Sequence, residues 1–177
     1  MSIPHRRPSP ECVAAGERTF FVTACTWGGR SLLQSKNAAE LFIRTLRDYR
    51  AAEKYRLHEF VVMPDHFHIL ITVGAEWTIE RAIQLVKGGF AFRAGKELGF
   101  KAPVWQKGFS EIRVLDAETF ENQREYVRNN PVAAGLAPTA EAYAYSSACG
   151  RGELDPPPQR LKPAFLAELY GTPEGVP

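Results

Sequence analysis

Two adjacent runs of β-type residues constrain the fold of this chain most strongly. Residues 57–63 (LHEFVVM) and 66–73 (HFHILITV) are rich in β-branched and aromatic side chains, and only Pro64-Asp65 separates them. Two such runs around a short turn-forming junction predict a β-hairpin. The hairpin gives the rest of the chain a sheet against which its helices can pack.

The remaining segments add two strands and three helices. Residues 18–27 and 105–115 are β-like, and residues 37–54 carry apolar side chains at helical spacing. Thr78 is a predicted N-cap of a second helix, which Gly88-Gly89 interrupts or ends early. Asp116 is a predicted N-cap of a third helix that runs to about Asn129, where Pro131 stops it.

The predicted fold class is therefore α+β. The first six elements have the order βαββαβ, which is typical of a ferredoxin-like antiparallel sheet with two helices on one face. The third helix is an addition at the C-terminal end. The connection before it, residues 114–116, is very short, so consecutive elements are expected to lie side by side.

The 177 residues suit one domain, predicted for residues 1–150, followed by a Pro-rich tail over residues 151–177. One short helix is possible within the tail, at residues 163–170. No apolar run approaches the roughly 20 residues that span a bilayer, and the N-terminus lacks the apolar stretch of a secretory signal. The expected location is the cytoplasm.

Two of the four histidines lie in one tripeptide of the hairpin. Because alternate side chains of a strand point to the same face, His66 and His68 project together, while Phe67 points towards the core. Two neutral imidazoles that lean towards one point can share a divalent cation. The alternative is two polar residues on the solvated face of a half-buried strand.

The third helix carries the second candidate group. Tyr126 and Asn130 are four residues apart and share a helix face. A phenol needs activation before it acts as a nucleophile, and an amide oxygen can complete a site with two histidines. Pro131 disfavours helical geometry at Asn130, so Asn129 is a rival ligand. The alternative role for Tyr126 is an interface tyrosine with a buried ring and a wet hydroxyl.

Basic residues are a third, weaker feature, because the net charge is only +2. Arg6 and Arg7 form a small cluster. A longer stretch with a single acidic residue holds Lys87, Arg93, Lys96, Lys101 and Lys107. These side chains are candidates for phosphate contacts, and the alternative is a solvated surface.

Several motifs together resemble a known family. Residues 62–70 (VMPDHFHIL) resemble the metal-binding signature of single-tyrosine HUH transposases. Residues 126–136 (YVRNNPVAAGL), 105–109 (WQKGF) and 145–147 (YSS) resemble segments of one branch, the REP-associated tyrosine transposases. The resemblance covers about residues 18–148. Asp65 stands where Asn is common and Tyr145 where Trp is common, and neither is expected to touch the ligands or the nucleophile.

The resemblance implies metal-assisted breakage and rejoining of single-stranded DNA. Tyr126 would attack phosphorus and form a 5′-phosphotyrosine intermediate, while His66, His68 and Asn130 hold Mg²⁺ or Mn²⁺. The implied partners are single-stranded or hairpin-forming palindromic repeats. No nucleotide cofactor is expected, because no GxxxxGK[ST] loop is present. The resemblance implies that a monomer can work, and the short connection over residues 114–116 predicts an active site complete in cis. The alternative is a dimer in which the tyrosine helix of one subunit serves the metal site of the other.

Three other functions remain open at this point. A ferredoxin-like module that binds nucleic acid would use no catalysis. A metal-dependent phosphoesterase would cut DNA through water and leave no adduct. A small-ligand domain of the same fold would need neither DNA nor Tyr126.

Overall fold

The protein is described by a computed structural model over residues 16–150, 153–159 and 161. Its strands and helices follow in the order β1 (Arg18–Cys25), α1 (Lys36–Ala51), β2 (Arg56–Val62), β3 (His66–Val73), α2 (Ile79–Leu98), β4 (Ser110–Val114) and α3 (Ala117–Ala133). Two short 3-10 turns lie at Trp27–Gly29 and Ser147–Cys149. The predicted element order is confirmed. The predicted short helix at residues 163–170 lies outside the described residues.

The four strands form one antiparallel sheet with the order β2-β3-β1-β4. With three helices against this sheet, the predicted α+β fold class is confirmed. No helix of the described ranges has both the length and the apolar character to cross a membrane.

One face of the sheet carries the main core. Phe67, Ile69 and Ile71 of β3 are fully buried under α1 and α2, as their alternation predicts. Ring contacts continue this core into the helices, because Phe42 of α1 lies 4.6 Å from Phe67 and 5.4 Å from Phe90 of α2. This close-packed apolar layer stabilises the sheet.

Helix α2 corrects one prediction, because it runs unbroken through Gly88 and Gly89. Its N-cap is Thr78, as predicted, and its C-cap is Gly99 in the left-handed region, with φ of 70°. Gly89 has a packing role: a Cβ there would lie 2.5 Å from the Tyr49 hydroxyl on α1. The glycine therefore permits a close helix–helix approach and does not end the helix.

Helix α3 corrects a second prediction. The Asp116 side chain caps it by accepting from the Thr119 amide at 2.7 Å, as predicted. The helix then continues past Pro131 to Ala133, and does not end near Asn129. A proline there removes one helical N–H, in the last turn, and its side chain is buried. The Pro131 carbonyl accepts from the Leu136 amide at 2.8 Å, which completes the turn.

Strand β4 is shorter than predicted and begins only at Ser110. Residues 105–109 form a loop that is held against α2. The Trp105 indole donates to the Lys87 carbonyl at 2.9 Å, and the Lys87 ammonium donates to the carbonyls of Gln106 and Gly108. Gly108 has a φ of 72°, which breaks the strand conformation.

The other face of the sheet is covered by α3. A smaller apolar cluster fills this interface, and its buried members are Phe21, Val61, Met63, Leu70, Val114, Phe120 and Val127. The segment that follows α3 then lies along the edge strand β2, where the Val62 amide donates to the Tyr145 carbonyl at 2.9 Å. The two sheet faces therefore have separate cores.

Candidate active site

The two histidines of β3 face α3. The ring centroids of His66 and His68 lie 4.8 Å apart, nearly perpendicular to each other. The alternation along β3 accounts for this placement, because Phe67 between them enters the main core. Two imidazoles are therefore side by side under the third helix.

Each imidazole is oriented through its Nδ1 atom. Thr23 of β1, which is opposite His68 in the sheet register, has its hydroxyl 2.7 Å from His68 Nδ1. The Asp65 carboxylate lies 2.7 Å from His66 Nδ1. The expectation that Asp65 touches neither proposed ligand is therefore wrong, because its side chain folds back onto the next residue. Partners of this kind fix the orientation of metal-binding histidines through the nitrogen that does not bind the metal.

His68 is buried, with 4% of its surface exposed. Burial is the main cause that lowers the pKa of His68 to about 3, and the charge of His66 contributes in the same direction. The ring is thus neutral at physiological pH and its Nε2 lone pair is available to a cation. The alternative of a solvated histidine does not hold for His68.

Tyr126 and Asn130 lie beside this histidine. The Tyr126 ring is 5.3 Å from the His68 ring and 5.7 Å from the Phe21 ring, both edge-on. The Asn130 amide nitrogen is 3.3 Å from His68 Nε2, whereas Asn129 is exposed. Because a half-turn of the carboxamide exchanges its oxygen and nitrogen, Asn130 can present either atom to the histidine.

The Tyr126 side chain is 51% exposed, so its hydroxyl is accessible. An open groove of about 290 Å³ runs along this side of α3, lined by Asn122, Glu125, Tyr126, Asn129, Asn130 and Ala133. An exposed phenol at a surface groove fits a large substrate better than a small enclosed one. The Tyr126 ring contacts the sheet on one side and is open to solvent on the other.

The donor set fits a divalent cation. Among the described residues, no group of three or more His, Cys, Asp and Glu side chains is close enough to hold a metal ion. The Asn130 carboxamide, beside His68, is the candidate third donor next to His66 and His68. Imidazole nitrogens and a carboxamide oxygen are acceptable donors for Mn²⁺, and oxygen donors suit Mg²⁺.

Three of the candidate phosphate-binding residues, Lys87, Arg93 and Lys96, lie on α2, away from Tyr126. Burial lowers the pKa of Lys87, whose ammonium is held by two carbonyls. Arg93 pairs with Asp48, and the Lys96 ammonium lies 4.4 Å from the Phe92 ring centroid, so both side chains are engaged on α2. The face of the sheet that α2 covers is opposite to the face under α3.

The other candidates from the basic set differ in their surroundings. Lys101 and Lys107 are exposed, and Lys107 is in the loop just before β4. Arg6 and Arg7 lie outside the described residues. A role of these residues in DNA binding stays a prediction.

A buried carboxylate on this face was not anticipated from the sequence. Glu59 of β2 is fully buried and contacts Arg124 and Arg128 of α3. A β-bulge brings it there, because the pairing of β2 with β3 shifts register between Leu57 and Glu59. Arg124 and Arg128, four residues apart on α3, could have indicated an acidic partner on the sheet. The bulge that places Glu59 opposite them has no sequence signature.

Comparisons with known proteins point to one family. Residues 22–130 match the model of a family described as IS200-like transposases. No curated protein matches the chain significantly in sequence.

Two solved structures resemble the fold. One is a REP-associated tyrosine transposase bound to a REP hairpin: TM-score 0.63, 23% identity, covering 88% of this chain and 89% of that one. The other is a protein from Deinococcus radiodurans R1 assigned as a transposase: TM-score 0.50, 19% identity, covering 70% of this chain and 97% of that one. At these identities the two likenesses describe a shared fold.

Proposed function

The chain belongs to the IS200-like transposase family, and we propose on that premise that it nicks and rejoins single-stranded DNA with Tyr126 as the nucleophile. The reaction is a transesterification. The phosphodiester energy is kept in a covalent protein–DNA link, so rejoining requires no nucleotide.

One observation carries this proposal. Tyr126, His68 and Asn130 come from two elements that are far apart in sequence, and they meet on the face of the sheet under α3. The Tyr126 ring edge is packed on His68 and Phe21, while the hydroxyl end is accessible from the groove along α3. A phenol in this position has a fixed direction of approach and an open side for substrate.

His66, His68 and Asn130 would hold Mg²⁺ or Mn²⁺. When bound there, the cation polarises the scissile phosphate and neutralises charge that develops on it. The chain's own residues prepare the site: Thr23 and Asp65 orient the two imidazoles, and burial keeps His68 unprotonated.

In the cleavage step, the Tyr126 Oη atom attacks phosphorus. A bond forms between Oη and phosphorus, and the bond from phosphorus to the 3′-oxygen breaks. The phenol gives up its proton and the leaving 3′-oxygen gains one, which leaves a 5′-phosphotyrosine and a free 3′-hydroxyl. Attack by a 3′-hydroxyl on the phosphotyrosine reverses these changes and releases Tyr126.

The proposed substrate is a strand that presents a hairpin. The similar REP-associated transposase was solved with a REP hairpin, and the groove beside Tyr126 is open to solvent. Unstacked bases of a single strand can rest on aromatic rings while basic groups contact the phosphates. Of the basic candidates in the described ranges, Lys96, Lys101 and Lys107 are exposed, and Lys96 lies over the Phe92 ring of α2.

Covalent trapping with a labelled hairpin strand tests the proposal. Wild-type protein with Mn²⁺ is expected to form an adduct that survives denaturation, while Tyr126→Phe binds the strand with near-normal affinity and forms none. His66→Ala and His68→Ala should also abolish cleavage. Cleavage without an adduct would indicate a phosphoesterase that uses water, and binding without cleavage would indicate a non-catalytic module.

We also propose that each active site is complete within one chain. The Tyr126 and His68 rings lie 5.3 Å apart in the same chain, and only Leu115 and Asp116 separate β4 from α3. A mixture of His68→Ala and Tyr126→Phe proteins is therefore expected to recover no activity at any ratio. Recovery to a sizeable fraction of the wild-type rate would mean that two chains share their sites.

A further inference from the structure

A buried carboxylate connects three elements beneath α3. Glu59 of β2 is 0% exposed. Its Oε2 atom accepts from Arg128 Nε at 3.0 Å and from Arg124 Nε at 3.3 Å, and its Oε1 atom accepts from the Ser147 hydroxyl. A buried charge is costly unless it is paired and hydrogen-bonded, so these contacts stabilise Glu59 where it lies.

Backbone and side-chain contacts hold Glu59 in place. The β-bulge between Leu57 and Glu59 turns both Glu59 and its neighbour His58 towards α3. Ser147 Oγ also accepts a hydrogen bond from the Phe60 amide at 2.9 Å, while its single hydroxyl proton is directed at Glu59. The carboxylate is therefore held by its own strand and by the segment after α3, while the helix contributes two arginines.

The two arginines and the candidate catalytic residues lie on opposite flanks of α3. Arg124 and Arg128 precede Tyr126 and Asn130 by two residues, which is about 200° around a helix. Val127, fully buried, faces the sheet between the two flanks. One flank is thus fixed by Glu59 on β2, and the other flank lies over His68 on β3.

We propose that Glu59 is a positioning residue that sets the rotation of α3 about its axis and thereby holds Tyr126 against His68. This inference rests on the proposed role of Tyr126 as nucleophile. An atom at the rim of a helix is about 6 Å from the axis, so a rotation of about 10° moves it by about 1 Å. A displacement of about 1 Å at a reacting group can cost about 10²-fold in rate.

The test substitutes each side of the ion pair. Glu59→Gln keeps the shape and removes the charge, and Arg128→Gln removes the closer partner. After Glu59→Gln the two partly exposed arginines can turn to solvent, and after Arg128→Gln the Glu59 carboxylate keeps Arg124 and Ser147, so both variants are expected to fold. Arg124 also pairs with Glu121 on its own helix, which makes Arg128 the cleaner partner to change.

The readout is the single-turnover rate of adduct formation at saturating hairpin DNA and Mn²⁺, beside the dissociation constant of the DNA. Glu59→Gln should lower the rate at least about ten-fold and leave the DNA affinity within about two-fold. The double variant should be no slower than the slower single variant, because both changes act through one contact. A wild-type rate for Glu59→Gln, or losses that multiply in the double variant, would overturn the inference.

Two matched controls separate positioning from stability. Phe42→Leu weakens the core on the opposite face of the sheet, and Arg50→Gln removes another ion pair at the β2 edge, the one with Asp155. Both should cleave at the wild-type rate at a temperature where all variants are folded by circular dichroism. If either control loses as much rate as Glu59→Gln, the effect of Glu59 is only stability and the inference fails.

A DNA-independent measurement keeps the inference separate from the proposed function. The ring protons of Tyr126 lie beside the rings of His68 and Phe21, so their NMR shifts report the rotation of α3. With ¹³C-labelled tyrosine, and Tyr126→Phe for assignment, Glu59→Gln should move these resonances while Phe42→Leu leaves them in place. An unmoved resonance overturns the positioning claim. A wild-type protein without any adduct overturns the proposed function instead.

If Glu59→Gln does not fold, Arg128→Gln alone replaces it. This change removes the closer contact from the partly exposed helix side and leaves Glu59 paired with Arg124. A rate loss in the same direction, with the same DNA affinity and a moved Tyr126 resonance, is expected. A wild-type rate from the folded variant overturns the inference.

Discussion

The two faces of the sheet are formed by the same strands but carry different kinds of side chain. Under α1 and α2, β3 contributes Phe67 and Ile69 to an apolar core. Under α3, the same strand contributes His66, His68 and Thr72, beside the buried His58 of β2. Alternation along the strand separates the two sets by a single residue.

The difference shows how a small domain can carry polar groups in its interior. The apolar face supplies burial, which is the dominant stabilising contribution. The polar face pairs its groups instead: Thr19 with Thr72, His58 with Thr72, and Thr23 with His68. Each buried donor or acceptor satisfied in this way avoids a desolvation penalty of about 1–3 kcal/mol.

The largest effect expected on stability comes from the apolar face. Phe67→Ala removes a fully buried ring that contacts Phe42 and Trp105, and should lower the free energy of unfolding by about 3–5 kcal/mol. Chemical denaturation measures it. Thr23→Val, on the polar face, is the matched comparison, and a loss as large as that of Phe67→Ala would contradict the division between the faces.

The next effect concerns metal affinity on the polar face. Thr23→Val keeps the side-chain shape and removes the hydroxyl beside His68 Nδ1, so the affinity for Mn²⁺ should fall about 10- to 100-fold. Calorimetric titration of the DNA-free protein measures the change. Thr19→Val is the control, since it lies on the same strand and face but pairs with Thr72. Equal losses from both variants would show that Thr23 has no special role.

Two neighbouring glycines sharpen the description of the apolar face. Gly88→Ala should stabilise the protein by about 0.5–1 kcal/mol, because its Cβ would meet no atom and alanine favours the helix. Gly89→Ala should destabilise it by about 1 kcal/mol, because its Cβ would lie 2.5 Å from the Tyr49 hydroxyl. The melting temperatures of the two variants measure these changes in stability. A Gly89→Ala variant that is more stable than the wild type would contradict a close contact between α1 and α2.

The smallest effect is a pH dependence that belongs to the polar face. Burial is the main cause that lowers the pKa of His58 below its ordinary value of about 6.5. The unfolded chain therefore binds more protons than the folded protein, and stability should fall as the pH drops below about 6.5. Urea titrations of wild type and His58→Gln between pH 7 and pH 5 should show a weaker decline for the variant. Equal declines would show that His58 does not contribute to this pH dependence.

The sequence was enough to predict the element order and the faces that His66, His68, Tyr126 and Asn130 occupy. Strand alternation and helical spacing are local properties that a sequence displays directly. The partners of these residues were out of reach, because Thr23 meets His68 only through the register of β1 with β3. Asp65 was wrongly expected to be remote from the ligands, because the direction of its side chain cannot be read from the sequence.

Two helix errors have a related physical cause. Gly89 and Pro131 each oppose a helix by intrinsic preference, and both lie within one. Tertiary packing overrides that preference: Tyr49 packs over Gly89, and Pro131 is buried. The buried Glu59 needed a bulge that no spacing in the sequence reveals.

The most direct test of the central claim is to locate the covalent link on the protein. After reaction with a hairpin strand in Mn²⁺, the denatured protein is digested with nuclease and protease, and the peptides are sequenced by tandem mass spectrometry. We expect the residual 5′-nucleotide on Tyr126 in the wild-type protein, and no modified tyrosine in His68→Ala protein. Modification of Tyr143 or Tyr145, or cleaved DNA with every tyrosine unmodified, would contradict the assignment of this face as the active site.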